Sequence, residues 1–487
     1  MSDVAWLGVD LGTQSVRVTA VSPSGAVLAR AARPLTSRRD GPRHEQDPEQ
    51  WWDGLCQASR EAMAALGRVP IAALAVCATS GTVTLLDVAG EPLTPGLMYD
   101  DVRAGEEAAR VNEAGAEVWA SLGYRMAPSW ALPKLLWLLR ERPDLPRGTR
   151  LAHQADFVTR RLIGGEVPTD SSHALKSGYD LLHEAWPYEV MAALGVPEGM
   201  LPAVVRPGTQ LGLVGRSGAE ATGIPAGTPV IAGMTDGCAA QLAAGALTVG
   251  SWNSVLGTTL VLKGVALEPV RDPHGAVYSH RSPDGRWLPG GASSAGAGML
   301  TERFASRSLP DLDRRAAAYE PSGVLVYPLV ARGERFPFAV PEAEGFMLGE
   351  PASEADHFAG VLQGVAFLER LCFDYLDRLG APTGGELSLT GGATRSRYWC
   401  QLRADVLGRA VRLPKHPEPA FGMALLAASR DRSLADAVAE MVEVEEVIAP
   451  RADAFDRFRE PYLCLVSELE RRGWLEPSVA AHAQARA

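Results

Sequence analysis

None of the six cysteines, Cys56, Cys77, Cys238, Cys372, Cys400 and Cys464, belongs to a Cys-x-x-Cys pair or sits at zinc-finger spacing. The sequence forms of a dithiol redox motif and of a structural zinc site are therefore missing. Several of these thiols lie inside apolar runs, where cysteine behaves as a small hydrophobe. They read as reduced side chains of a cytoplasmic protein. No uncharged apolar run reaches 18 residues, so no membrane-spanning helix is expected. The first residues, Met1-Ser2-Asp3-Val4, show no basic segment ahead of an apolar one, and no signal peptide is expected. Positive charge is also scarce: 47 Lys and Arg face 58 Asp and Glu, for a net charge of -11. Such a chain offers nucleic acid no broad basic face. Its one basic cluster, residues 38–43, runs straight into acidic residues and reads as a solvated loop. The phosphate-binding pattern G-x-x-x-x-G-K-[ST] is absent as well.

What is present suits a large folded protein. The 487 residues are 46% hydrophobic and 22% charged, enough for two to four domains with substantial cores. Residues 4–9, 16–21 and 26–32 read as strands joined by glycine-containing turns, an antiparallel meander. Residues 48–66 carry Trp51, Leu55, Ala62, Met63 and Leu66 at helical spacing, and residues 71–79 form a buried strand. The order β-β-β-α-β opens a mixed sheet. A helical stretch fills residues 100–225, with its clearest helices at 133–142 and 154–162. A second strand-rich block begins near Pro229, with strand-turn-strand over 251–265. Helices are expected at 357–379, 398–407, 420–429 and 456–472, with a frayed tail over 478–487. The tripeptide Leu11-Gly12-Thr13 recurs as Leu256-Gly257-Thr258, each time between two strands. The repetition suggests two related halves, each offering one turn to a shared cleft.

Several short segments have the chemistry of phosphate and sugar handling. In Asp10-Leu11-Gly12-Thr13-Gln14-Ser15, glycine lets the backbone approach phosphate, turn N–H groups can cradle its oxygens, and Asp10 can hold Mg²⁺ through water. The same segment reads equally as an ordinary hairpin turn. Asp236 follows an apolar strand and precedes a small-residue helix; it suits a general base for an attacking hydroxyl, or a helix cap. Gly257-Thr258-Thr259 is a second phosphate-type turn. Gly391-Gly392 before a helix could let a nucleotide lie against the backbone, or simply turn the chain. Trp399 could cover an adenine face or fill a core. Ser80-Gly81-Thr82 ends a strand and could bond sugar hydroxyls. Asp101 and Arg103 form either a surface pair or a sugar-pocket wall. His153 reads as a satisfied structural histidine.

Taken in order, these segments resemble the FGGY carbohydrate kinases. Asp10-Leu11-Gly12-Thr13 is similar to that family's first phosphate loop, and residues 45–52 to its acidic-aromatic approach to a helix. Tyr99-Asp100-Asp101-Val102-Arg103 resembles a W-x-D-x-R segment with Tyr for Trp. Lys134-Leu135-Leu136-Trp137-Leu138 resembles the first family signature. Residues 345–349 and 357–367 resemble the second, with Glu350 replacing an apolar residue. Leu256-Gly257-Thr258-Thr259 matches the second phosphate loop with Thr for Ser. Gly391-Gly392-Ala393 matches the adenosine loop, with Ser396 for a frequent Asn. The likeness implies an α/β fold of two ribonuclease-H-like, actin-like ATPase domains with mixed sheets around a central cleft. It implies a sugar-side domain over 1–243, a nucleotide-side domain over 244–445, and a helical extension over 446–487 that packs back on the first domain. It implies an ATP-dependent enzyme with Asp236 as base, Asp10 as the Mg²⁺-linked carboxylate, Gly12, Thr13, Gln14, Gly257, Thr258, Thr259, Gly391, Gly392 and Trp399 toward ATP, and Ser80, Asp101 and Asp236 toward the sugar. It leaves monomer and homodimer open.

Xylulokinases carry Ser-Gly-Gln-Met-His at the sugar loop; here Ser80-Gly81 is followed by Thr82-Val83-Thr84. That loop, with His153-Gln154-Ala155-Asp156, Lys176-Ser177-Gly178-Tyr179-Asp180 and Val277-Tyr278-Ser279-His280-Arg281, resembles the D-ribulokinase-type subgroup of plants and cyanobacteria. The resemblance implies D-ribulose as acceptor, with D-xylulose or a pentitol next. An actin-like, sugar-sensing ATPase is the alternative from another class.

Overall fold

In a computed structural model that describes residues 4–487, the chain divides into two compact units. The first comprises residues up to Gly245 together with His280–Trp287 and His416–Glu443. The second comprises Ala246–Ser279, Leu288–Lys415 and Val444–Ala487.

The first unit is built on a six-stranded sheet. Its strands are β1 (Ala5–Leu11), β2 (Ser15–Val21), β3 (Val27–Pro34), β4 (Ile71–Ala78), β5 (Gln210–Leu213) and β6 (Pro229–Ile231), in the order β5-β6-β4-β1-β2-β3. β1, β2 and β3 are antiparallel. β4 runs parallel to both β1 and β6, and β5 is antiparallel to β6. β1 is buried along its whole length, as a central strand covered on both faces must be. Helix Pro48–Leu66 starts where Asp47 accepts a hydrogen bond from Glu49 N and Pro48 supplies a preset φ. It buries Trp51, Leu55, Ala58, Ala62 and Leu66 against the sheet.

The other face of β1 is covered by helix Pro419–Ala428, buried from Ala420 to Ala428. The two elements touch because Gly8 has no side chain: a Cβ there would overlap the Ala420 carbonyl. Gly422 stands in the same way against Ala239 of helix Asp236–Ala243. An apolar, Ala-rich helix of this kind needs partners on every side, and it finds them here. By its contacts the segment 416–443 groups with the first unit, whereas the sequence reading kept it in the second half.

The second unit repeats the plan. Its sheet holds β7 (Trp252–Leu256), β8 (Leu260–Gly264), β9 (Val277–Arg281), β10 (Trp287–Ala292), β11 (Leu387–Thr390), β12 (Val411–Pro414) and β13 (Val444–Ile448), ordered β9-β10-β8-β7-β11-β12-β13. β7, β8 and β10 are antiparallel, β7-β11-β12 parallel, and β12-β13 antiparallel. Strand for strand this is the arrangement of the first sheet plus one edge strand. Helix Glu354–Arg378 runs through the core of this unit, buried from Ala355 to Leu376 apart from His357.

Two expectations about the end of the chain are corrected. Residues 446–487 belong to the second unit, and the tail is a helix, Pro477–Arg486. Val479, Ala480 and Ala483 are buried in the second core, while Arg486 bonds Asp374 and Asp377 and His482 bonds Asp377. This buried apolar stripe, with ion pairs beside it, is what keeps the last turns ordered.

Candidate functional site

The parallel strands of the first unit place three strand ends side by side. β1 and β4 pair Asp10 with Cys77 and Leu11 with Ala78, and Ala78 in turn bridges Thr235. Asp10, the Thr79-Ser80-Gly81 loop and Asp236 therefore emerge at one sheet edge, the carboxyl ends of parallel strands where α/β sheets carry ligands.

Asp10 is 2% exposed. Its Oδ2 accepts a hydrogen bond from Arg17 Nη1 at 2.8 Å, across the β1–β2 hairpin that pairs the two residues. Burial lifts its carboxyl to about 6; Arg17 pulls the value down, and the negative charge of Asp236 adds to the rise. The mutual repulsion of Asp10 and Asp236 marks them as near neighbours. Two neighbouring carboxylates, one of them buried, suit a cation. Asp236 is the first residue of helix Asp236–Ala243, with Thr235 as the capping residue. It is half-buried, and its Oδ1 accepts from Gly237 N at 2.7 Å. Next to Asp10, the turn is closed by Gly12 N to Ser15 O at 3.1 Å. Thr13 O accepts from Gln46 Nε2 at 2.7 Å, and the exposed Gln14 accepts Leu35 N through its carbonyl.

At the sugar-type loop, Ser80 Oγ is buried and has no hydrogen-bond partner among the described residues. An orphaned hydroxyl here suits a polar ligand group. Thr82 and Thr84 point inward: Thr82 Oγ1 meets Thr79 Oγ1 at 2.5 Å, and Thr84 Oγ1 donates to Thr94 O at 2.8 Å. The residues that distinguish this loop are thus spent inside the protein. Lys134, fully buried, donates to Gly81 O at 2.5 Å and Met98 O at 2.8 Å, tying the loop to the segment before Tyr99. Burial draws its ammonium down to about 7. Lys176 Nζ donates to Ser80 O at 3.2 Å.

Asp101 requires a correction. It is 0% exposed, and its oxygens accept from His44 N at 2.7 Å, Arg103 N, Arg103 Nε and Arg103 Nη2. With its lone pairs committed, it holds the loop together and has no face for a sugar. His153 is a satisfied buried histidine between Asp156 and Ser177.

In the second unit, the turn Gly257-Thr258-Thr259 joins β7 to β8. Ala297 N donates to Gly257 O at 2.9 Å and Gly298 N to Thr258 O at 3.1 Å. Gly391, at φ +88°, lies so close to β7 that a Cβ would sit 2.5 Å from Leu256 O. The phosphate-type turn and the double-glycine loop thus converge. Beside them a cavity of about 320 Å³ is lined by Ala297, Leu300, Phe358, Leu362, Gly392 and Trp399. Trp399 is 2% exposed and donates from Nε1 to Leu362 O at 3.1 Å, so its ring forms a fixed cavity wall. Ser396 caps helix Arg397–Leu407 by accepting Trp399 N at 3.0 Å. An apolar slot beside glycine backbone suits a flat heteroaromatic base attached to phosphates.

Sequence reasoning missed Arg17 and Lys176. The first was within reach, because a hairpin centred on Gly12-Thr13-Gln14 sets residue 10 opposite residue 17. The second stood in the segment Lys176-Ser177-Gly178-Tyr179-Asp180, but nothing local tied it to the Ser80 carbonyl, 96 residues away.

Residues 5–243 match the model of the N-terminal domain of the FGGY family of carbohydrate kinases, and residues 252–430 that of its C-terminal domain. A xylulose kinase of Streptomyces rubiginosus is 32% identical over 434 residues, 87% of each chain. One from Streptomyces coelicolor is 33% identical over 439 residues, again 87% of each. The crystal structure of the xylulose kinase from Rhodospirillum rubrum is 27% identical, with a TM-score of 0.84 over 96% of this chain and 99% of its own. No helix among the described residues is long and apolar enough to cross a membrane.

Proposed function

The chain belongs to the FGGY family of carbohydrate kinases, and from that premise we propose that it transfers the γ-phosphoryl group of ATP to a hydroxyl of a ketopentose, D-xylulose ahead of D-ribulose. The observation that carries the reading is the pairing of Asp10 and Asp236 at one strand-end edge, beside a loop with an unpartnered Ser80 hydroxyl. The preference for D-xylulose rests on the names of the relatives. It reverses the order drawn from the sugar-loop pattern. D-ribulose stays as a second reading because Thr82-Val83-Thr84 supplies no imidazole or amide to the sugar.

In this reading Asp236 accepts the proton of the attacking hydroxyl, and Ser80 orients the sugar by hydrogen bonding. ATP fits the second unit through its apolar slot and the turn at Gly257-Thr258-Thr259; in the first unit the turn at Gly12-Thr13-Gln14 is read as a phosphate turn. Asp10, a buried carboxylate with Asp236 close by, would hold Mg²⁺, which when bound would neutralise charge on the transferring phosphate. Arg17 keeps the Asp10 carboxylate ionised and aimed.

A coupled ADP-release assay over ketopentoses and pentitols tests the proposal. Sugar-dependent ADP release with the highest kcat/KM for D-xylulose is expected. Higher kcat/KM for D-ribulose would restore the second reading. ADP release equal with and without every sugar would replace the kinase reading by an ATPase that senses sugar.

A further inference from the structure

The first unit buries a charged pair that phosphoryl transfer does not use. Asp170 and His173, 4% and 0% exposed, belong to the segment Thr169-Asp170-Ser171-Ser172-His173. Asp170 Oδ1 accepts from Ser172 N at 2.9 Å, Ser172 Oγ at 2.6 Å and His173 N at 3.1 Å. Its Oδ2 meets His173 Nδ1 at 2.5 Å. The four-residue helix Ser171–Ala174 is thereby clamped to one carboxylate.

Two contacts lead outward from this knot, over long stretches of sequence. Thr235 N donates to Ser172 Oγ at 2.9 Å, and His173 Nε2 lies 3.4 Å from Ala78 O. Thr235 is the residue on which the helix of Asp236 begins, and Ala78 is the last residue of β4 before Thr79-Ser80-Gly81. The direction of each bond is fixed by chemistry. An ionised carboxylate only accepts, so the single proton of Ser172 Oγ goes to Asp170 and the hydroxyl can only accept from Thr235. A buried peptide N–H needs such a partner. Without it the Thr235 peptide turns toward another acceptor, and Asp236, one residue on, turns with it.

We infer that Ser172, held by Asp170, is a positioning residue for the base Asp236, and that His173 fixes the root of the sugar loop from the same knot. The inference rests on the base reading above. It adds a device that sets the base and the sugar loop in a common frame from residues that touch neither ATP nor sugar.

The test is a cycle between Ser172→Ala and Asp236→Asn, read as kcat and KM for the sugar and for ATP, with thermal melting of each variant. Asp236→Asn alone tests the base: turnover near wild type would overturn the base reading and this inference with it, whereas failure of the cycle below overturns the inference alone. With the base established, Ser172→Ala should lower kcat tenfold or more, since misplacement of about 1 Å can cost about 100-fold, and should leave KM for ATP within twofold. In the Asp236→Asn background the same change should alter the residual rate less than twofold, because its effect runs through the missing carboxylate. Ser172→Cys keeps the side-chain volume but offers a poor acceptor and should behave like Ser172→Ala. It serves as the readout if Ser172→Ala does not fold. A merely structural role would lower the melting temperature and multiply with Asp236→Asn. That outcome, or a kcat within twofold of wild type, overturns the inference.

Discussion

The two sheets share an order of strand directions yet end in different chemistry. At Leu11-Gly12-Thr13 and Leu256-Gly257-Thr258 the same tripeptide turns between the first two strands, but the preceding residue is Asp10 in one and Val255 in the other. After the next parallel strand, β4 leads to Thr79-Ser80-Gly81 and β11 to Gly391-Gly392. The first unit thus furnishes its sheet edge with carboxylates and a hydroxyl. The second furnishes its edge with bare backbone and an apolar slot. Two sheets of like strand order thus end in an acidic, polar edge in one unit and a backbone-lined, apolar one in the other.

The largest effect expected from breaking this division is at Asp236. Asp236→Asn should lower sugar-dependent ADP release by about 1000-fold, within the range for general-base removal, with a melting temperature close to wild type. Next comes the charge knot beneath that edge. His173→Leu leaves Asp170 buried without its cation and should destabilise the protein by about 3–5 kcal/mol in denaturant unfolding at pH 6. The attraction between the two depresses the Asp170 carboxyl and raises the His173 imidazole, against the burial that opposes each charge. The Asp170 share of stability is present above its ordinary range and lost as pH falls through its depressed folded value. The His173 share is complete below about 6.5 and lost as pH rises through its raised folded value. The gap between wild type and His173→Leu should therefore narrow as pH climbs, and a gap that widens would contradict the pairing.

Glycine substitutions sharpen the comparison within the second unit. Gly391→Ala meets both a positive φ and the Leu256 backbone; strain alone should cost about 1–2 kcal/mol, with a raised KM for ATP and an unchanged KM for sugar. Nothing lies within 4 Å of a Cβ at Gly257. Gly257→Ala should therefore leave unfolding within about 0.5 kcal/mol of wild type and still raise KM for ATP, because any loss there reports on phosphate approach. An unchanged KM for ATP would remove that turn from the nucleotide site.

The strands, the two glycine hairpins and the Asp10 and Asp236 strand ends were legible because each rests on local signals: alternation, turn residues, and an acid at the end of an apolar run. Asp101 was misread because an acid near an Arg looks the same in sequence whether it faces solvent, ligand or core. Only the hydrogen bond from His44, 57 residues away, separates these cases. The helix Pro419–Ala428 was legible as a helix over 420–429, but an apolar surface all round does not say which sheet covers it. The terminal helix was misread as frayed because its anchors, Asp374 and Asp377, lie about a hundred residues upstream. The Ser172 knot escaped for the same reason: its bonds to residues 78 and 235 are non-local.

Helix Pro419–Ala428 also governs the order in which the molecule can be completed. On the ribosome, β1 is among the first segments to emerge, yet the face that Gly8 keeps bare stays uncovered until some four hundred further residues have been made. Such late closure gives the first unit long-range contacts that favour slow assembly and leaves an apolar strand open to mispairing during synthesis. A fragment ending at residue 245 would inherit that open face permanently, so the first half of this chain is a sheet in waiting and not a detachable module.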